Sequence, residues 1–441
     1  MKFFKLFLYI IILQFCIFIS PSYADSEVLN TYTPSCILMD ANTGKILYEK
    51  NSNDVRFPAS TTKIMTAILT VENCELSDIA TVSHDAIFSV PVSYSHASLR
   101  EDEKLTIEQL LNVLLIPSAN DAANVLAEHI SGSVEEFAKL MNQKAKEIGC
   151  LNTNFVNPNG IHNEKHTSTA YDLALMGKYA MQFDTIRDIV TKTSYSLPKT
   201  NKYSKEDRMF NTTNDLIIKN NSNAKDNYYY SNCIGIKTGY TTEAGSCIIA
   251  GAKKDDVELI VVVLGGELTK DGISQRYLDC KNLFNYGFDN MHTLQEKNSI
   301  VKQISIFGGT SDTKDLNLLV KDKISIFSDS KDDLENLEPE IILNDNLRAP
   351  IAANSVIGKI TYTYEDETYS ADLIAETDVI ASDFLPIVFR VLLIFVTLYL
   401  LFLLLKPSNK NNGKLNKSSK KKSYYKKTKR GNFKFTQLNN Y

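Results

Sequence analysis

An apolar run near the carboxyl end constrains the architecture of this 441-residue chain more than any other feature. Residues 391–405 are apolar except for Thr397, and residues 384–389 extend the run upstream past Arg390. About twenty such residues suffice to cross the hydrocarbon core of a bilayer as a helix. We therefore predict a transmembrane helix over residues 384–405, with Arg390 reaching toward the interface. A helix lying on the membrane surface is disfavoured, because the run has no polar face.

Charged residues at the two ends of the chain indicate its orientation. The tail, residues 406–441, contains twelve lysines and arginines and no acidic residue, which predicts a cytoplasmic tail. Residues 1–24 begin with basic residues, continue as an apolar run and end in Ser-Tyr-Ala, a pattern typical of a secretory signal peptide cleaved after Ala24. A retained amino-terminal anchor is the alternative. We expect a single-pass protein of the cell membrane whose body is extracytoplasmic.

The charge of the body excludes one class of partner. Without the two lysines of the leader and the twelve basic residues of the tail, the 52 acidic residues exceed the remaining basic ones by about 18. An acidic body argues against an anionic polymer as its main ligand. A basic tail that follows a membrane span is explained by membrane topology, so we predict no nucleic-acid partner.

Cysteine usage is compatible with two interpretations. Six cysteines lie beyond the leader, and an even number outside the membrane permits disulfides. Their spacing is wide, however, and several lie in apolar contexts that resemble strands. We therefore predict buried free thiols. The six are Cys36, Cys74, Cys150, Cys233, Cys247 and Cys280.

The body is long enough for two domains. Hydrophobic patterns predict a hairpin over residues 35–48, a mostly helical stretch over residues 57–181, a second hairpin over residues 245–264 and a closing helix over residues 272–286. This order predicts an α/β domain over residues 25–292, a mixed antiparallel sheet with a helical cluster against it. Short alternating strands then predict a small all-β domain over residues 293–380.

A serine one helical turn before a lysine is the first chemical motif. Ser60 and Lys63 follow a Phe-Pro-Ala loop and lead into an apolar helical pattern, so Ser60 is expected in the first turn of a buried helix. Residues three apart share a helix face, and a helix amino terminus favours negative charge. Ser60 is thus a candidate nucleophile, Lys63 its base, and the Ser60 amide half of an oxyanion site.

Two further triplets follow in order. Ser118-Ala119-Asn120 comes directly after a helix that ends at Pro117, and Lys237-Thr238-Gly239 begins a strand pattern. Alone, the first could be a helix cap and the second an ordinary strand with a turn.

Ser-x-x-Lys, Ser-x-Asn and Lys-Thr-Gly in this order form the signature of the penicillin-recognising serine acyltransferases. The chain resembles the low-molecular-mass penicillin-binding proteins, specifically the D-alanyl-D-alanine carboxypeptidases. The resemblance covers residues 30–380. Beyond the triplets it is carried by residues 157–162, 166–172, 285–288 and 347–375.

The resemblance implies removal of the terminal D-alanine from peptidoglycan stem peptides through a Ser60 acyl-enzyme. Lys63 has to be neutral to act as the base, and burial together with the cation at Lys237 would lower its pKa. Ser118 relays the proton to the leaving amine, and Asn120 offers its amide to the substrate backbone. Penicillins imitate the substrate terminus and would acylate the same serine.

Substrate binding is expected along the third triplet. Lys237 and Thr238 would bind the terminal carboxylate, and Gly239 would leave room for the substrate. The resemblance implies that Tyr240 supplies the second oxyanion amide, and Arg276 is a further candidate for carboxylate recognition.

Four alternatives fit parts of the same sequence. A class A β-lactamase would carry a Glu-x-x-Leu-Asn loop between the second and third triplets, and no such loop is present there. An endopeptidase would use the same residues as a carboxypeptidase. A non-catalytic cell-wall scaffold would not need the complete set of triplets. His162 and His166 are four apart, a zinc-like spacing, but they lie in a loop without an evident third ligand, so no metal and no cofactor is expected.

Overall fold

The computed structural model describes residues 29–382 and 384–406. The predicted signal peptide, residues 1–24, and the predicted cytoplasmic tail beyond Lys406 lie outside the described residues. Both stay predictions, as do the domain boundaries.

Nine α-helices are present in the described part of the chain. In chain order they are α1 Lys63–Asn73, α2 His84–Phe88, α3 Ile107–Leu115, α4 Asn120–Ser131, α5 Val134–Ile148, α6 Ala170–Ala180, α7 Asp184–Val190, α8 Gln275–Asp289 and α9 Phe384–Leu405. The strands are β1 Ser35–Asp40, β2 Ile46–Lys50, β3 Ile79–Thr81, β4 Lys104–Thr106, β5 Ser194–Leu197, β6 Arg208–Asn211, β7 Cys233–Thr241, β8 Gly245–Lys254, β9 Val257–Gly266, β10 Met291–Gln295, β11 Ile300–Ser305, β12 Asp315–Val320, β13 Ile324–Phe327, β14 Glu340–Leu343, β15 Val356–Tyr364 and β16 Glu367–Ala375.

A five-stranded antiparallel sheet in the order β2-β1-β9-β8-β7 forms the centre of the first part. Side chains alternate between its two faces. Ile249 and Val262 pack in the core that contains the helical cluster, whereas Ile248 and Val261 pack in the core that contains α8. Burial on both faces explains why β8 and β9 read as nearly continuous apolar runs. The predicted α/β class and both predicted hairpins are confirmed.

Helices α1, α3, α4, α5 and α6 form the cluster on one face of the sheet. Helix α3 begins with a capping box, in which the Thr106 hydroxyl accepts from the Gln109 amide and the Gln109 side chain accepts from the Thr106 amide. The closing helix predicted over residues 272–286 begins and ends three residues later. Its start is delayed because Gly272 has a φ of 78° and closes a turn with Thr269.

Two short ribbons, β3–β4 and β5–β6, were missed by the sequence patterns. Strands of three or four residues show too little alternation to be distinguished from loops.

The carboxyl-terminal part of the body is a separate β structure with its own core. Its five-stranded sheet has the order β11-β12-β16-β15-β14, and β10 pairs with β13. The predicted all-β character is confirmed. The β15–β16 end of this sheet touches the first part, because the Lys45 Nζ donates to the Tyr369 hydroxyl at 2.8 Å and lies 3.0 Å from a Glu367 carboxylate oxygen.

Helix α9 is apolar along nearly its whole length and, from residue 387 onward, exposed. Residues 387–405 have a mean hydropathy of 2.8, and within the described residues this is the one helix long and apolar enough to cross a membrane. It fits a membrane anchor, as the sequence predicts.

The six described cysteines are all free thiols, which agrees with the sequence prediction. Four are buried, whereas Cys74 and Cys233 are half-buried.

Candidate active site

Ser60 lies in a 3-10 turn, Ala59–Thr62, directly ahead of α1 rather than within its first α-helical turn. Ala59 has a φ of 49°, a strained value for a residue with a side chain. Two glycines hold this turn from opposite sides. A Cβ on Gly160 would lie 1.9 Å from the Ala59 carbonyl oxygen, and a Cβ on Gly239 would lie 2.8 Å from the Ser60 amide nitrogen. The absence of both side chains therefore allows the close packing that fixes Ser60.

Lys63 is completely buried and its amine points at the serine. Its Nζ donates to Ser60 Oγ at 2.9 Å, to Asn120 Oδ1 at 2.8 Å and to the Asn159 carbonyl at 2.6 Å. Burial and, second, the nearby Lys237 cation lower the pKa of Lys63 well below its usual value, and Asp121 opposes this shift. A neutral amine that accepts a proton from Ser60 is thus physically accessible.

The His166 side chain supports the 3-10 turn that contains Ser60, a role that the sequence did not indicate. Its Nδ1 accepts from the Val156 amide at 3.1 Å, so the neutral ring donates through Nε2 to the Thr62 hydroxyl at 2.8 Å. That hydroxyl in turn donates to the Ala59 carbonyl at 2.7 Å. Burial, with Lys63 and His162 nearby, lowers the pKa of His166 to about 3, which keeps the ring neutral.

The two histidines of the zinc-like spacing have different surroundings. His166 is buried against Thr62, whereas the His162 ring packs edge-on against Phe57 with centroids 4.7 Å apart.

The second triplet lies between α3 and α4. Ser118 is 5% exposed and has a φ of 66°, so the chain turns sharply there before Asn120 begins α4. Asn120 Nδ2 donates to the Ser95 carbonyl at 2.9 Å, while its Oδ1 accepts from Lys63. Asn120 therefore orients the Lys63 amine and retains one amide hydrogen for a ligand.

The third triplet lies on β7, the edge strand beside the 3-10 turn. Lys237 is 1% exposed, and its Nζ donates to the Thr238 carbonyl at 2.9 Å. Burial and the Arg276 cation lower the pKa of Lys237 to about 7. The Thr238 hydroxyl lies 2.5 Å from the Thr213 hydroxyl. The close contact of Gly239 with the Ser60 amide gives this glycine a structural reason in addition to the expected room for a ligand.

Arg276, from the start of α8, closes the same region. Its Nη1 donates to the Gly239 carbonyl at 3.2 Å and its Nη2 to the Tyr277 hydroxyl at 3.0 Å. Its Nε is buried and has no hydrogen-bond partner among the described residues. The guanidinium is thus held by two hydrogen bonds where Arg276 lines the cleft.

A cleft of about 440 Å³ unites these groups. Lys63 and Lys237 lie buried beneath its surface. The sequence-predicted residues that line it are Ser60, Ser118, Asn120, Thr238, Gly239, Tyr240 and Arg276. The structure thus brings all nine predicted site residues to one place, where a serine and a buried amine are joined by the basic side chains of Lys237 and Arg276.

Three contributors to the site were missed by sequence reasoning. The Asn159 carbonyl and the His166 ring come from the loop between α5 and α6, which the sequence singled out only for the family resemblance and the zinc-like spacing. Thr213 comes from a loop after β6 and carries no motif. A sequence pattern cannot identify the Asn159 carbonyl, because every residue has a backbone carbonyl. It cannot identify His166 or Thr213 either, because their contacts depend on how distant segments pack.

Comparisons with known proteins agree with this geometry. The family model described as D-alanyl-D-alanine carboxypeptidase matches residues 24–267, and the model described as penicillin-binding protein 5, C-terminal domain, matches residues 290–381. The D-alanyl-D-alanine carboxypeptidase DacF of Bacillus subtilis (strain 168) is 34% identical over 349 residues, which cover 77% of this chain and 84% of that protein.

Two further relatives extend the match. DacA of Escherichia coli (strain K12), another D-alanyl-D-alanine carboxypeptidase, is 28% identical over 371 residues, covering 80% of this chain and 86% of that one. The crystal structure of penicillin binding protein 5 from Haemophilus influenzae, 27% identical, superposes with a TM-score of 0.55 over 80% of this chain and 98% of that chain. Together with the serine–lysine pair in the cleft, these matches show that the chain belongs to the family of serine D-alanyl-D-alanine carboxypeptidases.

Proposed function

We propose that this chain removes the terminal D-alanine from peptidoglycan stem pentapeptides through an acyl-enzyme on Ser60. The observation that carries the proposal is the 2.9 Å contact between Ser60 Oγ and the buried Lys63 amine. A buried amine with a lowered pKa is the base that a serine hydroxyl needs at neutral pH.

In the acylation step, neutral Lys63 takes the proton from Ser60 Oγ as the oxygen attacks the carbonyl between the two D-alanines. The amides of Ser60 and Tyr240 stabilise the oxyanion. Ser118 relays a proton to the leaving amine, the C–N bond breaks and D-alanine departs. Water then attacks the ester, and hydrolysis regenerates the Ser60 hydroxyl and releases the shortened peptide.

The terminal carboxylate of the substrate is recognised by the basic and hydroxyl side chains of the third triplet and by Arg276. Lys237 and Thr238 bind it, and Arg276, which lines the cleft, adds a second positive charge. Asn120 holds the substrate backbone with its remaining amide hydrogen. A C-terminal carboxylate thus distinguishes the substrate from an internal peptide bond, which favours carboxypeptidase over endopeptidase activity on the same residues.

β-Lactams react with the same serine. Their ring carbonyl and carboxylate imitate the substrate terminus, so penicillins acylate Ser60, and the resulting acyl-enzyme is hydrolysed slowly. Rapid turnover of penicillin by the chain would instead support the β-lactamase alternative. A scaffold without catalysis would form no adduct at all.

The proposed setting is the outer face of the cytoplasmic membrane. Helix α9 spans the bilayer, the body is extracytoplasmic beside its peptidoglycan substrate, and the basic tail is cytoplasmic. A chain that ends before Phe384 should leave the membrane fraction and keep its activity on a soluble peptide. Protease added outside spheroplasts should remove the body and spare the tail; the reverse pattern would refute this orientation.

The activity test uses a synthetic stem pentapeptide that ends in D-Ala-D-Ala. Release of D-alanine should require Ser60 and should disappear in Ser60→Ala. Ser222→Ala, at another Ser-x-x-Lys of this chain, is the matched control and should release D-alanine normally. Equal release by the Ser60→Ala variant would sink the proposal.

A further inference from the structure

We propose that the loop of residues 307–310, together with Ile380, rests in the headgroup layer of the membrane beside the point where α9 enters it. This inference rests on the membrane anchor proposed above. It goes beyond that proposal by naming the part of the body that contacts lipid.

The 307–310 loop is held to the last residues before the helix. The Ser382 amide donates to the Gly308 carbonyl at 2.7 Å, Gly309 forms a β-bridge with Ala381, and the Thr310 amide donates to the Ile380 carbonyl at 3.0 Å. Helix α9 begins only two residues beyond Ser382. Because one residue spans at most about 3.6 Å, the loop lies within roughly 10 Å of the start of the helix.

Two large apolar side chains are exposed at this place. Phe307 is 75% exposed and Ile380 is 58% exposed, although neighbouring Ile306 and Val379 are buried in the domain core. The exposed guanidinium of Arg348 lies over the Phe307 ring at 5.6 Å from its centroid. An apolar ring under a cation suits an interface, where the ring enters the acyl boundary and the cation stays among headgroups.

The loop faces away from the catalytic part. Strand β16 connects the two ends of the β domain: Glu367 at its start contacts Lys45, and Ala375 at its finish leads into residues 376–382 and α9. The nine residues of this strand, with a rise of about 3.3 Å per residue, separate Glu367 from Ala375 by roughly 26 Å. The first part of the body therefore does not cover Phe307, whereas the bilayer is adjacent to it.

Charge at this end of the domain is mixed. Lys314 and Arg348 are exposed there, and so are Asp312, Asp315 and Asp378. Attraction to anionic lipid is therefore not what holds the loop at the surface, and a zwitterionic bilayer is expected to suffice.

The test exploits the absence of tryptophan from this chain. Phe307→Trp introduces a single fluorophore into the full chain, which is reconstituted in phosphatidylcholine vesicles brominated either near the top or near the end of the acyl chains. The emission should shift to the blue and be lost mainly with shallow bromines. Phe395→Trp, in the middle of α9, should be quenched mainly by deep bromines. Phe88→Trp, 68% exposed on the catalytic part, should be quenched by neither.

The outcomes separate the inference from the anchor. If Phe395→Trp is quenched while Phe307→Trp behaves like Phe88→Trp, the anchor stands and the loop contact is refuted. If Phe395→Trp is not quenched, the anchor fails and this inference fails with it. A blue shift of Phe307→Trp without bromine quenching would mean that protein covers the loop, which also overturns the proposal. Labelling of each variant by a fluorescent penicillin checks that its body is folded.

Discussion

The imidazole of His166 and the hydroxyl of Thr62 lie 2.8 Å apart in the interior, and this contact links a loop 104 residues away to the turn that carries Ser60. The Thr62 hydroxyl in turn donates a hydrogen bond to the Ala59 carbonyl. Ser60 is therefore positioned by three kinds of contact: this chain of hydrogen bonds, the backbone packing of Gly160 and Gly239, and the Lys63 amine.

Replacing His166 should change how stability responds to acid. In the folded chain the pKa of His166 is lowered to about 3, whereas an unfolded histidine has a pKa near 6.5. As the pH falls below about 6.5 the unfolded state binds the proton first, so the free energy of unfolding drops by about 1.4 kcal/mol per pH unit until the pH nears 3. His166→Gln should lack this component of the slope.

The same variant should be less stable at neutral pH. The partly buried Val156 amide would lose its acceptor, an effect of about 1 kcal/mol. Urea unfolding in detergent across this pH range measures both effects, with His84→Gln at an exposed position as the control. An acid slope that is unchanged in His166→Gln would contradict the prediction.

The pH dependence of penicillin acylation should be bell-shaped. The base must be neutral, so the rate falls when the pH drops below the lowered pKa of Lys63. The carboxylate-binding cation must be protonated, so the rate also falls as the pH rises past about 7, where Lys237 loses its proton.

Lys237→Arg should remove the alkaline fall near neutrality, because a guanidinium stays charged. Second-order acylation rate constants measured across the pH range test this. Lys254→Arg, at an exposed position, is the control and should retain the bell-shaped pH dependence. Persistence of the alkaline limb in Lys237→Arg would assign that limb to another group.

Gly239→Ala should slow acylation of Ser60 strongly. The new Cβ would lie 2.8 Å from the Ser60 amide nitrogen, a backbone atom that can move only by shifting the nucleophile. A displacement of about 1 Å in a catalytic group reduces the rate by about 100-fold.

Gly251→Ala, on the neighbouring strand β8, is the matched control for that substitution. Its Cβ would meet Ile234 Cγ1 at 3.0 Å, a side-chain atom that can give way, so acylation should remain near normal. Stopped-flow labelling with a fluorescent penicillin measures both variants, and equal rates would disprove the structural reason given for Gly239.

Thr213→Val should weaken substrate binding without slowing the chemical step. The Thr213 hydroxyl lies 2.5 Å from that of Thr238 and orients it toward the cleft. Loss of one such hydrogen bond is worth about 1 kcal/mol, which corresponds to a rise in KM of about fivefold at constant kcat. D-alanine release at varied peptide concentration measures both constants, and Thr242→Val on the same cleft wall is the control. A fall in kcat alone would argue that Thr213 acts on the chemistry.

The sequence by itself determined most of the elements, the chemical groups of the cleft and the apolar helix near the carboxyl end. The apolar runs of β8 and β9, the capping residues before α3 and the apolar run of α9 are local properties, so their patterns predict the elements directly. The triplets headed by Ser60, Ser118 and Lys237 predict the reactive side chains, because the chemistry of a side chain follows from its residue type.

Only the tertiary structure decided how those groups are held. The Lys63 amine reaches a carbonyl 96 residues away, and His166 reaches Thr62 across 104 residues. The need for glycine at position 239 arises from the distance to another backbone segment. Such contacts depend on how distant segments pack and on backbone atoms that every residue shares, so no local pattern encodes them. The lowered pKa of Lys63 has the same origin, since burial is a property of the assembled fold.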